Sequence, residues 1–289
     1  MTNSILENDN LKIEINSHGA ELQSLFDKQR RLEYLWQADE KYWPRHAPIL
    51  FPIVGKLVNN ELIYQDKSYP MSQHGFARDR NFTLVKHNES EVQFQFKSDS
   101  ESLKQFPFEF ELLVTYVLQA NKLITSFSVN NPNSHTLPIS IGAHPAFNWP
   151  LDPNIPKSEH YIKFEHDETA PVRQLRQGLL MEQSIENPID KDQLKITESL
   201  FENDALIFDE LNSQSIRYCA GDKMALELSF KEFPYLGIWK KPGANFVCLE
   251  PWCGIASPEN YKGSFMEKPG IILVPRNEQI IKTFEISIN

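Results

Sequence analysis

Strict alternation of apolar and polar residues recurs from one end of this chain to the other, and that period of two constrains the fold more than any other feature. In Glu91 to Lys97 the even positions Val92, Phe94 and Phe96 are apolar and their neighbours polar; Phe108 to Leu118 keeps the same phase. Ala225 to Phe230 and Phe284 to Ile288 repeat the pattern. Successive side chains of a strand point to opposite faces, so each segment reads as a strand with one face on a core and the other toward water. Asn59-Asn60, Asn130 to Ser134, Asn187-Pro188 and Pro242-Gly243 punctuate these runs as turns. Stretches with helical periodicity are scarce, and only Ser100–Gln105 and Glu198–Leu211 are expected to hold a turn or two of helix. The expected fold is all-β, a large antiparallel sandwich or barrel with few short helices. Residues 1–289 are expected to form a single domain, with 152–195, richer in Pro, Gln and charge, as a loop-rich excursion.

Composition narrows the function. Apolar residues at 40%, with 19 Phe, supply a sizeable core and exclude a disordered chain. Against 29 Lys and Arg stand 39 Asp and Glu, a formal charge of -10 with no basic stripe. Nucleic acid and anionic membrane are therefore not expected partners. The first residues carry no basic or apolar leader pattern, and three cysteines do not make an obvious disulfide framework. A cytoplasmic protein with reduced thiols is expected.

Polar groups that interrupt apolar patterning are the informative positions. In Ile139 to His144 alternation puts Ser140, Gly142 and His144 on one face, which suits a cavity floor with an imidazole at its rim; a core histidine is the plain alternative. Glu250 shares a face with Phe246 and Cys248 inside an apolar run, where an unpaired carboxylate costs several kcal/mol. Pro251 is expected to end that strand and leave Glu250 at a sheet edge. Gln73, His74, Gly75 and Arg78 crowd an amide, an imidazole, a bend-permitting glycine and a guanidinium into one short segment, which can equally be an ordinary polar loop. Arg45-His46 leads into the apolar run Ala47 to Val54, and Asp204 heads another, as a site residue, cap or turn.

Several chemistries lack their residues. There is no Gly-x-Ser-x-Gly elbow, no phosphate-cradling or dinucleotide glycine loop and no His-Glu-x-x-His. His135 and His144 are too far apart to ligate from one strand, and Cys248 and Cys253 lack partners completing a zinc pattern, so no metal is expected. What remains is a cofactor-free site of histidine, glutamate and hydrogen-bonding side chains, suited to acid–base work on a polyhydroxylated ligand.

The same residues carry a resemblance to a known family. Gly19 to Leu25, Tyr34-Leu35-Trp36, Trp43 to Lys56, Gln73 to Arg78, Gly142 to Asn148 and Leu249 to Trp252 follow one another as in the aldose 1-epimerases, the galactose mutarotase-like proteins. The likeness is strongest to the bacterial LacX-like branch. It implies a β-supersandwich and a cofactor-independent isomerase acting on an aldohexose. Carried over by position, Glu250 resembles the general base and His144 the general acid, while His74 resembles the second site histidine. Asp204 resembles the acidic residue that binds sugar hydroxyls. Arg45, Gln73 and Arg78 resemble the cluster that related hexose-6-phosphate 1-epimerases present to substrate. Lys56 falls near a position where galactose mutarotases carry arginine. Trp36, Trp149 and Trp252 are candidates to stack on a sugar ring.

The implied reaction opens the pyranose ring: Glu250 takes the anomeric hydroxyl proton, His144 protonates the ring oxygen, and closure after rotation inverts the anomeric centre. An ionised pair is expected, each partner supporting the other's charge. Mutarotation of a free aldose leads over 1-epimerisation of a phosphorylated hexose and over a non-catalytic carbohydrate-binding protein.

Overall fold

The computed structural model describes residues 2–222 and 224–289. Two large antiparallel sheets dominate. The alternating segments fall together in a nine-stranded sheet that includes Glu91–Lys97, Glu111–Gln119, Met224–Ser229 and Gln279–Ile288. Along Glu111–Gln119 buried and half-exposed residues alternate without a break, as a sheet with one wet face requires. Its partner Lys122–Asn130 pairs in register from Gln119↔Lys122 to Glu111↔Asn130.

The eight-stranded sheet lacks that alternation because both of its faces are covered. Its central strand Phe246–Cys253 is buried at every position. Val247 and Leu249 enter the main apolar cluster, which also takes Val114, Phe127 and Ile286 from the nine-stranded sheet. Phe246, Cys248 and Trp252 instead join two smaller clusters on the opposite face. Glu250 belongs to this second face and stands between those clusters.

Pro251 does not end the strand, contrary to expectation, and Glu250 is not at an edge. The strand is flanked by Tyr235–Trp239 on one side and by Ile141–Ala143 and Ala146–Asn148 on the other. The amide of Leu249 donates to Pro145 O, so the imino nitrogen two residues on faces the same side. There it meets the break between the two short flanking strands, where no ladder bond is lost.

Residues 152–195 are not a loop-rich excursion. His160–Phe164 and Gln193–Lys195 extend the nine-stranded sheet, and Val172–Arg176 and Leu179–Ile185 extend the eight-stranded one. Val172–Arg176 and Leu179–Ile185 bury only one residue each, Val172 and Leu180, which leaves little apolar periodicity to read there. The expected helical turns also change character. Ser100–Gln105 forms turns, whereas Glu198–Leu211 holds one 3-10 turn, Ser199–Phe201, and then the strand Leu206–Phe208. No α-helix occurs among the described residues, so none there is long and apolar enough to cross a membrane.

Candidate active site

The second face of the eight-stranded sheet opens into a cleft of about 400 Å³. Its lining contains Glu250, His144, His74, Asp204, Arg45, Gln73 and Arg78, the seven residues to which the resemblance gives catalytic or substrate-binding roles. The volume lies at the small end of ligand pockets, roughly 300–1,000 Å³.

Glu250 rises from the central strand opposite Gly237, and His144 follows the neighbouring strand Ile141–Ala143, its amide donating to Pro48 O at 3.1 Å. The two side chains meet at the cleft floor: His144 Nε2 is 3.1 Å from Glu250 Oε2, and both are almost fully buried. The approach lacks hydrogen-bond alignment, and Glu250 Oε2 and His144 Nδ1 have no hydrogen-bond partner among the described residues. Two polar groups held this close with spare capacity are placed to face neighbouring oxygens of a ligand.

Ser140 and Gly142 do not join His144 on the floor. The chain changes partners at Ser140, from the strand Leu137–Ile139 to Ile141–Ala143, and the Ser140 hydroxyl packs against Gly254. Gly142 instead backs onto the Trp252 ring.

His74 and Gly75 both adopt left-handed backbone, with φ of 66° and 72°. A Cβ on Gly75 would stand 2.2 Å from Phe51 O, so only glycine fits there. Reciprocal bonds secure His74: its amide donates to Gly55 O at 2.7 Å, and the Gly55 amide donates to its Nδ1 at 3.2 Å. Because Nδ1 accepts, the neutral ring carries its proton on Nε2, leaving a fixed donor.

The rim is charged. Arg45 Nη2 lies 2.8 Å from Asp79 Oδ1, Arg78 Nε lies 3.9 Å from Asp79 Oδ2, and Arg78 Nη2 donates to Gln73 O at 2.7 Å. Asp204 sits in a turn with φ of 76°, its Oδ1 accepting from the Ala205 amide. It is an exposed turn residue on the cleft wall, not a helix cap. Lys56 lies outside the lining and donates to Gln177 O.

The aromatic assignments shift. Of the three tryptophans considered from sequence only Trp252 lines the cleft; Trp43 and Trp239 join it, while Trp36 and Trp149 lie elsewhere. Trp43 stacks on His144 at 5.0 Å between centroids, and Trp239 meets the imidazole edge-on at 5.7 Å. The adjacency of Trp43 to Arg45 is the one sequence signal that points to it. For Trp239 the only signal is cross-strand pairing with Cys248, which is not local in sequence.

Burial dominates the electrostatics. It pushes the Glu250 carboxyl well above the ordinary carboxylate range, the Asp204 charge adds to this, and the Trp252 indole pulls weakly the other way. Burial, followed by Arg78 and Arg45, lowers the His144 pKa to about 3. His74 is also held neutral, by burial first and then by His144, Arg78 and Arg45. Burial penalises both charges and so works against the ionised pair expected from the sequence, favouring a proton on Glu250 and a neutral imidazole.

A sequence model of the aldose 1-epimerase family matches residues 4–268. Protein LacX of Lactococcus lactis subsp. lactis is 34% identical over 294 residues, covering 98% of each chain. The X-ray structure of a galactose mutarotase related enzyme from Lactobacillus acidophilus is 32% identical with a TM-score of 0.93, across 100% of this chain and 97% of that one. A galactose mutarotase-like protein from Lactobacillus casei is 30% identical with a TM-score of 0.92, across the full length of both.

Proposed function

The chain belongs to the aldose 1-epimerase family, and from that membership we propose that it interconverts the α and β anomers of an aldohexose by acid–base ring opening and closure. The observation that carries the reading is the buried His144–Glu250 pair, 3.1 Å apart on the cleft floor. Such a pair can address the anomeric hydroxyl and the ring oxygen, two oxygens on one carbon. Moving one proton across that gap turns the neutral pair into a carboxylate base and an imidazolium acid without changing the charge of the cleft. Sugar hydroxyls that donate to the carboxylate favour that shift. Glu250 then takes the anomeric proton while His144 protonates the ring oxygen, and the roles reverse on closure. His74 Nε2–H donates to a hydroxyl, Asp204 accepts from one, and Trp252, Trp43 and Trp239 give the ring apolar surface. The three cysteines are unpaired and buried, which supports a cytoplasmic site of action.

A second reading, 1-epimerisation of a hexose phosphate, draws on Arg45 and Arg78 beside Gln73 at the rim. Their ion pairs with half-exposed Asp79 are of a kind worth about 0–1 kcal/mol, so a phosphate can displace that carboxylate.

The test is anomer exchange by NMR on a panel of free aldoses and their 6-phosphates, with Glu250→Gln beside the wild type. Exchange above the spontaneous rate, falling about 10²–10⁴-fold in the variant, is expected. No acceleration with sugar binding intact would replace the enzyme by a carbohydrate-binding protein.

A further inference from the structure

A third ligating group stands beside the acid–base pair. One ring nitrogen of His144, Sγ of Cys248 and one carboxylate oxygen of Glu250 all lie within 4.8 Å of one another, and all three residues are buried. We propose that these residues form a binding site for a borderline-soft dication of the Zn²⁺ class, and that its occupation switches the pair off.

The backbone brings the three side chains together. Cys248 and Glu250 are two apart on one face of Phe246–Cys253, and His144 lies between the two short strands that pair with it. His144 Nε2 and Glu250 Oε2, at 3.1 Å, already approach the roughly 3.3–3.7 Å between ligands of one tetrahedral zinc ion. Glu250 Oε2 has no hydrogen bond among the described residues to give up on ligation. The donor set of thiolate, imidazole and carboxylate suits zinc rather than magnesium or calcium, which prefer oxygen alone. Charge closes as well: binding releases one proton each from the thiol and the carboxyl, and a thiolate, a carboxylate and a neutral imidazole around a dication sum to zero. His144 and Glu250 both line the cleft, so it supplies the entry path, while Cys248 lies buried behind them.

A bound ion occupies the lone pairs that proton transfer requires, so anomer exchange stops until a chelator removes it. This consequence rests on the epimerase reading; the binding does not.

The test uses the full-length, reduced, chelator-treated chain with Co²⁺ as probe and Zn²⁺ as inhibitor. One Co²⁺ per chain with a thiolate-to-cobalt charge-transfer band is expected, and that band is lost in both Cys248→Ser and Cys248→Ala. The Zn²⁺ concentration that halves exchange, relative to each variant's own metal-free rate, rises by roughly tenfold or more, since even outer partners of a metal site are worth about 10–100-fold. A folded wild type without the band overturns the site, and so does a band retained in both variants. A Cys248-dependent band on a chain that catalyses no exchange keeps the site and removes the epimerase.

Discussion

The Trp252 indole lies over Gly237, its nearest ring atoms 2.4 and 2.5 Å from where a Cβ on that glycine would stand. Gly237 is also the cross-strand partner of Glu250, so the missing side chain lets an aromatic wall settle beside the carboxylate.

Gly237→Ala is therefore expected to displace the indole and destabilise the fold by about 1–3 kcal/mol, the usual range for overpacking. Anomer exchange slows with it. Urea denaturation and exchange rates measured on the same preparation check both.

The opposed shifts of His144 and Glu250 favour a single proton on the acid–base pair near neutral pH. His144 accepts a second only near its lowered value of about 3, and Glu250 gives up the first only well above the ordinary carboxylate range. The kcat/KM profile is expected to be flat through pH 6.5, where an unperturbed histidine would impose an inflection. An inflection there would show that His144 titrates as an exposed imidazole does.

Glu250→Gln should lose activity yet gain stability at neutral pH. The folded carboxyl binds its proton more tightly than the unfolded one, so its contribution is complete below the unfolded value near 4.5 and drains away as pH rises through the folded pKa. Glutamine does not ionise and escapes that loss. The expected Tm is a few degrees above wild type at pH 7, with the two proteins converging below pH 4.5. A lower Tm at neutral pH would contradict the burial argument.

Arg78→Ala separates the two substrate readings. If a hexose phosphate is the substrate, its KM rises about 10–100-fold, the worth of one hydrogen bond between charged groups, while a free hexose is little affected. Asp79→Asn should then lower the KM of the phosphate, because Asp79 competes for both guanidiniums. Equal effects on both sugars would leave the arginines as hydroxyl contacts or wall residues.

Much of the nine-stranded sheet was legible because its outer face is wet: Val92, Phe94 and Phe96 point in while Gln93 and Gln95 point out. The eight-stranded sheet was harder. Val247 and Cys248 are equally buried on opposite faces, and two dry faces erase the alternation. Residues 152–195 read as loop for a different reason, since Val172–Arg176 and Leu179–Ile185 bury a single residue each. The polar exceptions His144, His74 and Glu250 stood out against apolar surroundings, whereas Trp43 and Trp239 looked like any core aromatic.

Sequence by itself determined the β class, since period-two burial follows from the pleat of a single strand, and the inventory of acid, base and rim charges, since those are residue identities. Tertiary structure decided which of them meet and in what protonation state. The contact of His144 with Glu250, the nearness of Cys248 to both, and the glycine seat of Trp252 come from strands that neighbour one another only after folding. The bias toward a neutral pair comes from the removal of water around it. Contact and desolvation are set by the packing of distant segments, and no local pattern encodes them.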